Sequence, residues 1–304
     1  MSFYLPIAEM PVNALLVVLL SGLVGFVSGL TGVGGGFIMT PMLLFLGIPA
    51  PVAVATQASH IAATSVSGLL SHARRRSVDW RMGLLLTCGG VVGSTFGVSL
   101  FNSLLRSGQI DIFITLLYVV LLSAIGALML YESATAIRGK GAHTPSLFNR
   151  PARTISHKLP FLMRFPDSGL YISVLPPLAL GAGVGVLAAI MGIGGAFILA
   201  PAMIYLLRMP TNVVIGTSQF QVLVISGLVT VLQATITQTV DIALALLLIA
   251  GGVVGAQFGA RLGARLPAEQ LRAVLALIIL AAGLKLMWDL VTFPDELYVL
   301  STPR

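Results

Sequence analysis

Between residues 10 and 71 the chain carries not one Asp, Glu, Lys or Arg, and between 169 and 240 it carries only Arg208. A bilayer crossing takes about 20 mostly apolar residues, so each run is long enough for roughly three passes. With 57% hydrophobic and 9% charged residues over 304 positions, the composition is that of a polytopic membrane protein rather than an anchored soluble domain. The net charge of +7 is no nucleic-acid signature, because Lys and Arg lie between the apolar runs, where they orient spans in the lipid bilayer. Cys88 sits inside an apolar run and offers no disulfide framework. Glu9, with no Lys or Arg before the first apolar run, argues against a cleaved signal peptide, so Val12 to Leu30 reads as a retained span.

Each uncharged run contains a glycine-rich break. The first reads Thr31-Gly32-Val33-Gly34-Gly35-Gly36-Phe37-Ile38 and ends at Pro41; the second reads Met191-Gly192-Ile193-Gly194-Gly195-Ala196-Phe197-Ile198 and ends at Pro201. Seven identities from Gly25/Gly185 to Pro41/Pro201 stand 160 positions apart. Downstream, Pro49/Pro210 and Thr56/Thr217 recur at 161, and Val78-Asp79/Val240-Asp241 at 162. Gly89-Gly90-Val91-Val92-Gly93 is answered by Gly251-Gly252-Val253-Val254-Gly255. The drift is what single-residue loop insertions leave in a duplicated chain.

The expected fold is therefore an all-α polytopic membrane protein of two homologous repeats, 10–131 and 170–291, joined by a polar basic linker, 132–169. About eight full spans plus two short half-helical segments are expected. The first repeat supplies Val12–Leu30, the short Phe37–Leu46, Val52–Ser71, Met82–Phe101 and Ile110–Tyr131. The second supplies Tyr171–Met191, the short Phe197–Leu207 and spans closing with Ala273–Val291. Rows such as Gly89/Gly93/Gly97 and Gly251/Gly255/Gly259 read as helix-packing seams. Asp79 and Asp241 read as N-caps.

If the short segments merely re-enter, ten cations face one side and five the other. If they cross, Arg74, Arg75, Arg76, Arg81, six linker cations, Arg208, Arg261, Arg265 and Arg272 share a side against Arg106 and Arg304. The positive-inside rule favours the second arrangement, which makes the halves antiparallel and puts loops 72–81 and 132–169 in the cytoplasm. Ten helical residues cover only about 15 Å, so broken helices meeting near the midplane are expected.

Unwound backbone in lipid must be buried in protein or line a cavity. Gly34, Gly35 and Gly36, with Gly194, Gly195 and Ala196, lie where helix N-termini aim free N–H groups at such a cavity, an anion site built without a charged side chain. Thr31 precedes the first break. Thr56, Gln57, Ser59 and His60 open the following span and are answered by Thr217, Ser218, Gln219 and Gln221. These hydroxyls and amides suit a small anionic substrate, and the near absence of carboxylates argues against a cation path.

The doubled Gly-rich motif with Phe-Ile-x-x-Pro, the Thr/Ser/Gln cluster and the Gly-Gly-Val-Val-Gly helix resemble the sulfite exporter TauE/SafE (TSUP) family over essentially all of the chain except the linker. That resemblance implies a bacterial inner-membrane transporter for sulfite, sulfoacetate or a related sulfonate or organic anion. Ala196 for Gly36 and Met191 for Thr31 set the second copy apart from the first. The expected mechanism is alternating access around the two breaks, in the export direction, with a coupled proton or ion left open and no cofactor or metal. The alternatives are an anion channel on the same scaffold and, more remotely, an intramembrane enzyme using Ser59 or His60.

Overall fold

The computed structural model describes residues 2–31, 36–74, 77–137, 162–165, 167–263 and 268–292. Ten α-helices dominate these residues. In order they are α1 (Ala14–Thr31), α2 (Gly36–Phe45), α3 (Ala50–Arg74), α4 (Trp80–Arg106), α5 (Ile110–Ile137), α6 (Leu175–Met191), α7 (Ala196–Tyr205), α8 (Thr211–Leu232), α9 (Ile242–Gly263) and α10 (Ala268–Val291). A π-helical turn, Gln233–Thr237, extends α8. Four helical stretches, Trp80–Arg106, Ile110–Leu130, Val213–Thr237 and Ile242–Gly259, are long and apolar enough to cross a membrane by length and composition. Large apolar side chains such as Leu19, Val92 and Leu246 are exposed on the outer faces, as a lipid-facing surface requires.

Two short antiparallel hairpins depart from the all-α expectation. Strands β1 (Ser2–Leu5) and β2 (Met10–Asn13) pair ahead of α1, and β3 (Leu162–Phe165) and β4 (Leu170–Ser173) pair ahead of α6. They take up Val12 and Tyr171, where the first span of each repeat was expected to begin, and β3 lies inside the expected linker. The helices start later for local reasons. Asn13 Oδ1 accepts from the N–H groups of Leu15 and Leu16, at 3.2 and 3.5 Å. Ser173 Oγ accepts from Leu175 N at 3.3 Å, and Pro176 and Pro177 occupy the first turn of α6, where a missing N–H is harmless. The strand positions of the two hairpins are 160 apart residue for residue.

Glycine rows set the helix pairs. A Cβ at Gly89, Gly93 or Gly97 of α4 would strike the carbonyls of Leu178, Ala182 or Val186 of α6. Likewise Gly251, Gly255 and Gly259 of α9 abut the carbonyls of Val18, Gly22 and Phe26 of α1. These are the expected seams, and each joins a helix within residues 14–137 to one within residues 175–291. At the centre α3 packs on α8. Gly68 lies against Gln219 and Gly216 against His72, so these two helices run antiparallel. The same holds for α5 and α10, where Gly126 meets Leu280 and Gly283 meets Leu122.

The short helices do not run on across the structure. Gly47, just past α2, lies beside Met10 of β2, its Cβ position 3.8 Å from Met10 Cε. The chain thus turns back at the first break and returns toward the hairpin from which α1 set out.

Candidate functional site

The second break spans Gly192–Gly195 and is wholly buried. Gly192, Gly194 and Gly195 hold φ of 65, 70 and 77°, a left-handed region in which a side chain is strained. Space forbids side chains as well. A Cβ at Gly192 would strike the Val54 carbonyl of α3, and one at Gly194 would lie 2.6 Å from Ile61 Cγ2 and 2.9 Å from Ser226 Oγ. Gly192 N–H donates to Ala188 O at 2.9 Å and closes α6. Gly195 then opens α7 without a side-chain cap; its carbonyl accepts from the N–H groups of Ile198 and Leu199 at 3.1 and 2.8 Å, which leaves Ala196 and Phe197 at the very start of the helix without an intrahelical acceptor.

Of the first break, Gly34 and Gly35 lie outside the described residues, and Thr31 ends α1. Gly36 opens α2 and is buried. A Cβ there would fall 2.9 Å from Ile193 O of the second break. The rings of Phe37 and Phe197, one residue into each short helix, stack with centroids 4.9 Å apart. The start of α2 therefore meets the second break and the start of α7, N-terminus toward N-terminus, in the protein interior. Pro41 and Pro201 lack the N–H that would bond to the carbonyls of Phe37 and Phe197, which leaves polar backbone of both signs at the junction.

Two side chains that the sequence reading did not single out hold the second elbow. Tyr118 of α5, fully buried, donates from its hydroxyl to Met191 O and lies within hydrogen-bond reach of Thr40 of α2. Gln233 Nε2 donates to Ala189 O at 2.8 Å. Both satisfy carbonyls at the frayed end of α6. No pattern marked Tyr118, a phenol inside an apolar span. Gln233 had the weak signal of an amide within an apolar stretch.

The polar residues opening α3 and α8 divide into spent and unspent groups. Thr56 Oγ1 accepts from Asp241 N and Thr217 Oγ1 accepts from Asp79 N, both at 3.0 Å. Each aspartate caps its own helix, Asp79 Oδ1 from Met82 N and Asp241 Oδ1 from Leu244 N, both at 3.0 Å. The other carboxylate oxygen takes a hairpin, Ser168 Oγ donating to Asp79 Oδ2 and Ile7 N donating to Asp241 Oδ2. The N-cap expectation holds at both aspartates. Ser59 and Ser218 donate to carbonyls of their own helices, Thr56 O and Ile215 O. Gln219, half-buried, packs against Gly68.

What remains unspent is buried. Gln57 Nε2 and His60 Nδ1 lie 3.1 Å apart, while Gln57 Oε1 and His60 Nε2 have no hydrogen-bond partner, nor do both amide atoms of Gln221 and Ser226 Oγ. His60 Nε2 is pressed onto Gly252 of α9, and Gln221 Nε2 would lie 3.1 Å from a Cβ at Gly90 of α4. These two side chains stand 161 apart and their glycine seats 162 apart, so the middle glycine of each Gly-Gly-Val-Val-Gly run makes room for a polar side chain of the central pair. Among the described residues Asp79 and Asp241 are the buried carboxylates, and both stand at the hairpin contacts rather than at the elbows.

A sequence profile of the family described as Sulfite exporter TauE/SafE matches residues 17–286. A protein of Xylella fastidiosa (strain 9a5c) named "Probable membrane transporter protein" is 31% identical over 284 residues, covering 92% of this chain and 97% of its own length. "Probable membrane transporter protein YjnA" of Bacillus subtilis (strain 168) is 27% identical over 274 residues, covering 89% of this chain and 98% of its own length. No solved structure matches this chain.

Proposed function

Because the chain belongs to the sulfite exporter TauE/SafE family, a family of membrane transporters, we propose that it carries a small oxyanion such as sulfite or a sulfonate across the bacterial inner membrane by alternating access around the paired elbows. The observation that carries this reading is the meeting of α2 and α7. Gly36 abuts Ile193 O and Phe37 stacks on Phe197 at 4.9 Å, so two helix N-termini converge where the described buried residues include no charged side chain. Free N–H groups and the positive ends of helix dipoles favour an anion there. A Lys or Arg at such depth would itself cost about 2.5–3.5 kcal/mol. Gly36, Gly194, Gly195 and Ala196 supply backbone in this reading, and Gln57, His60 and Gln221 supply side-chain donors. Thr56, Ser59, Thr217 and Ser218 support the site from within their own hydrogen bonds. Thr31, Gly34 and Gly35 are assigned to it by sequence alone.

The antiparallel packing of α3 on α8 and of α5 on α10 supports inverted repeats. With α1 and α2 forming a re-entrant pair, each half makes three full crossings. An odd number inverts the second half and gathers the basic loops on one face. With the cytoplasm negative, each negative charge that leaves gains about 2.3 kcal/mol per 100 mV, so export proceeds without a coupled ion.

Reconstituted protein in liposomes, challenged with sulfite, sulfoacetate, other sulfonates and carboxylates, tests the assignment. Saturable flux with trans-stimulation by sulfur oxyanions is expected; ohmic current would replace the carrier by a channel, and no flux of any anion would end the reading.

A further inference from the structure

Serine and threonine hydroxyls inside helices ordinarily bond to a carbonyl one turn back, and this protein follows the habit closely. Ser59, Thr64, Ser94, Ser218 and Thr230 all do so. Thr87 of α4 and Ser226 of α8 do not, and of the two Ser226 lies against the second elbow. Its residue is 1% exposed, and its hydroxyl has no hydrogen-bond partner. A buried hydroxyl left unsatisfied works against stability, so its presence asks for an acceptor that the free protein does not supply.

The hydroxyl faces the second elbow. A Cβ at Gly194 would lie 2.9 Å from Ser226 Oγ, with Val222 Cγ1 at 3.1 Å alongside. Gly194 and Gly195, both at positive φ, lead directly into the uncapped first turn of α7. We propose that Ser226 is a substrate ligand of the second elbow, its O–H donating to one oxygen of a small oxyanion while the N–H groups of Ala196 and Phe197, the first two of α7, take the others. This rests on the transport reading above and deepens it. Such a site offers donors, so it suits a small oxyanion such as sulfite or a sulfonate head group, whose oxygens are bare acceptors. Ser65, 161 positions earlier and 4% exposed, has the matching place on α3.

The test compares full-length wild type, Ser226→Ala and Ser226→Thr, purified and reconstituted, by the KM for sulfite counterflow and by melting temperature with and without sulfite. A hydrogen bond to a charged ligand is worth roughly tenfold or more in affinity. Ser226→Ala is therefore expected to raise KM about tenfold and to lose the sulfite-induced rise in melting temperature. Without sulfite it melts at or above the wild type, because an unsatisfied hydroxyl has been removed. Ser226→Thr keeps the donor and stays within about threefold of wild-type KM. A lower melting temperature for Ser226→Ala without anion, or a wild-type KM, would overturn the assignment while leaving the transport reading intact. If the wild type neither transports nor is stabilised by any anion of the panel, the transport reading fails and the Ser226 assignment falls with it.

Discussion

Glu9 and Gly169 stand at the same place in the two hairpins, 160 positions apart, and both hold a left-handed backbone, with φ of 52 and 64°. The second hairpin meets that demand with the residue suited to it; the first does not. Nothing lies within 4 Å of a Cβ at Gly169, so Gly169→Ala isolates the backbone effect. It should cost about 1 kcal/mol, whereas Glu9→Gly should gain a similar or smaller amount, both read by denaturant titration in detergent. Asp79 and Asp241 are the other residue-scale test. Each caps its own helix and accepts from a hairpin while fully buried. Replacement by Ala removes a cap and strands donors, a loss of about 2–4 kcal/mol, and Asn should recover part of it. Melting temperatures unchanged in both Ala variants would show the hairpin contacts to be incidental.

At the scale of helices the glycine seams can be tested separately from the elbows. Gly93 and Gly255 each place backbone against a carbonyl of the partner helix, Ala182 and Gly22 respectively. Valine at either position overpacks a rigid contact by about 1–3 kcal/mol or more, and folded yield should fall. Gly183 of α6 has nothing within 4 Å of its Cβ position. Gly183→Ala should be neutral or stabilising by up to about 1 kcal/mol, and a collapse of that variant would refute the seam account. Much of this level was legible in the sequence, since four-residue glycine spacing and the 160–162 period are written in it. The hairpins were not. Their strands are four residues long, one contains Pro11, and apolar runs adjoin both β2 and β4, so hydropathy merges them into spans. Nor was the reciprocal bonding of Thr56 with Asp241 and Thr217 with Asp79 legible, because it joins residues 185 and 138 positions apart. Composition marked these threonines as polar and near the breaks; only the packing of α3 on α9 and of α8 on α4 shows where the hydroxyls are used.

At the scale of the molecule the first half of the chain packs on the second. α1 finds its glycine-lined neighbour in α9 and α6 finds its own in α4, so both glycine seams join helices from opposite halves of the chain. Chain direction follows from the contacts. Lys285 near the end of α10 lies 3.9 Å over the ring of Phe45 at the end of α2, on the face of the β1–β2 hairpin, while Ser168 of the other hairpin holds Asp79 at the opposite face. Arg74, Arg81 and Arg208 flank the loops of that second face and Arg261 the last turn of α9, so the positive-inside rule predicts that this face is cytoplasmic. Cysteines introduced singly in a Cys88→Ser background decide the matter. Phe3→Cys and Ser107→Cys, on exposed positions, should react with an impermeant maleimide in intact cells, and Asp167→Cys only after permeabilisation. Labelling of Phe3→Cys and Asp167→Cys from one side would place both hairpins on the same face. The halves would then run parallel, and two elbows approached from opposite sides, the geometry on which alternating access depends, would no longer exist.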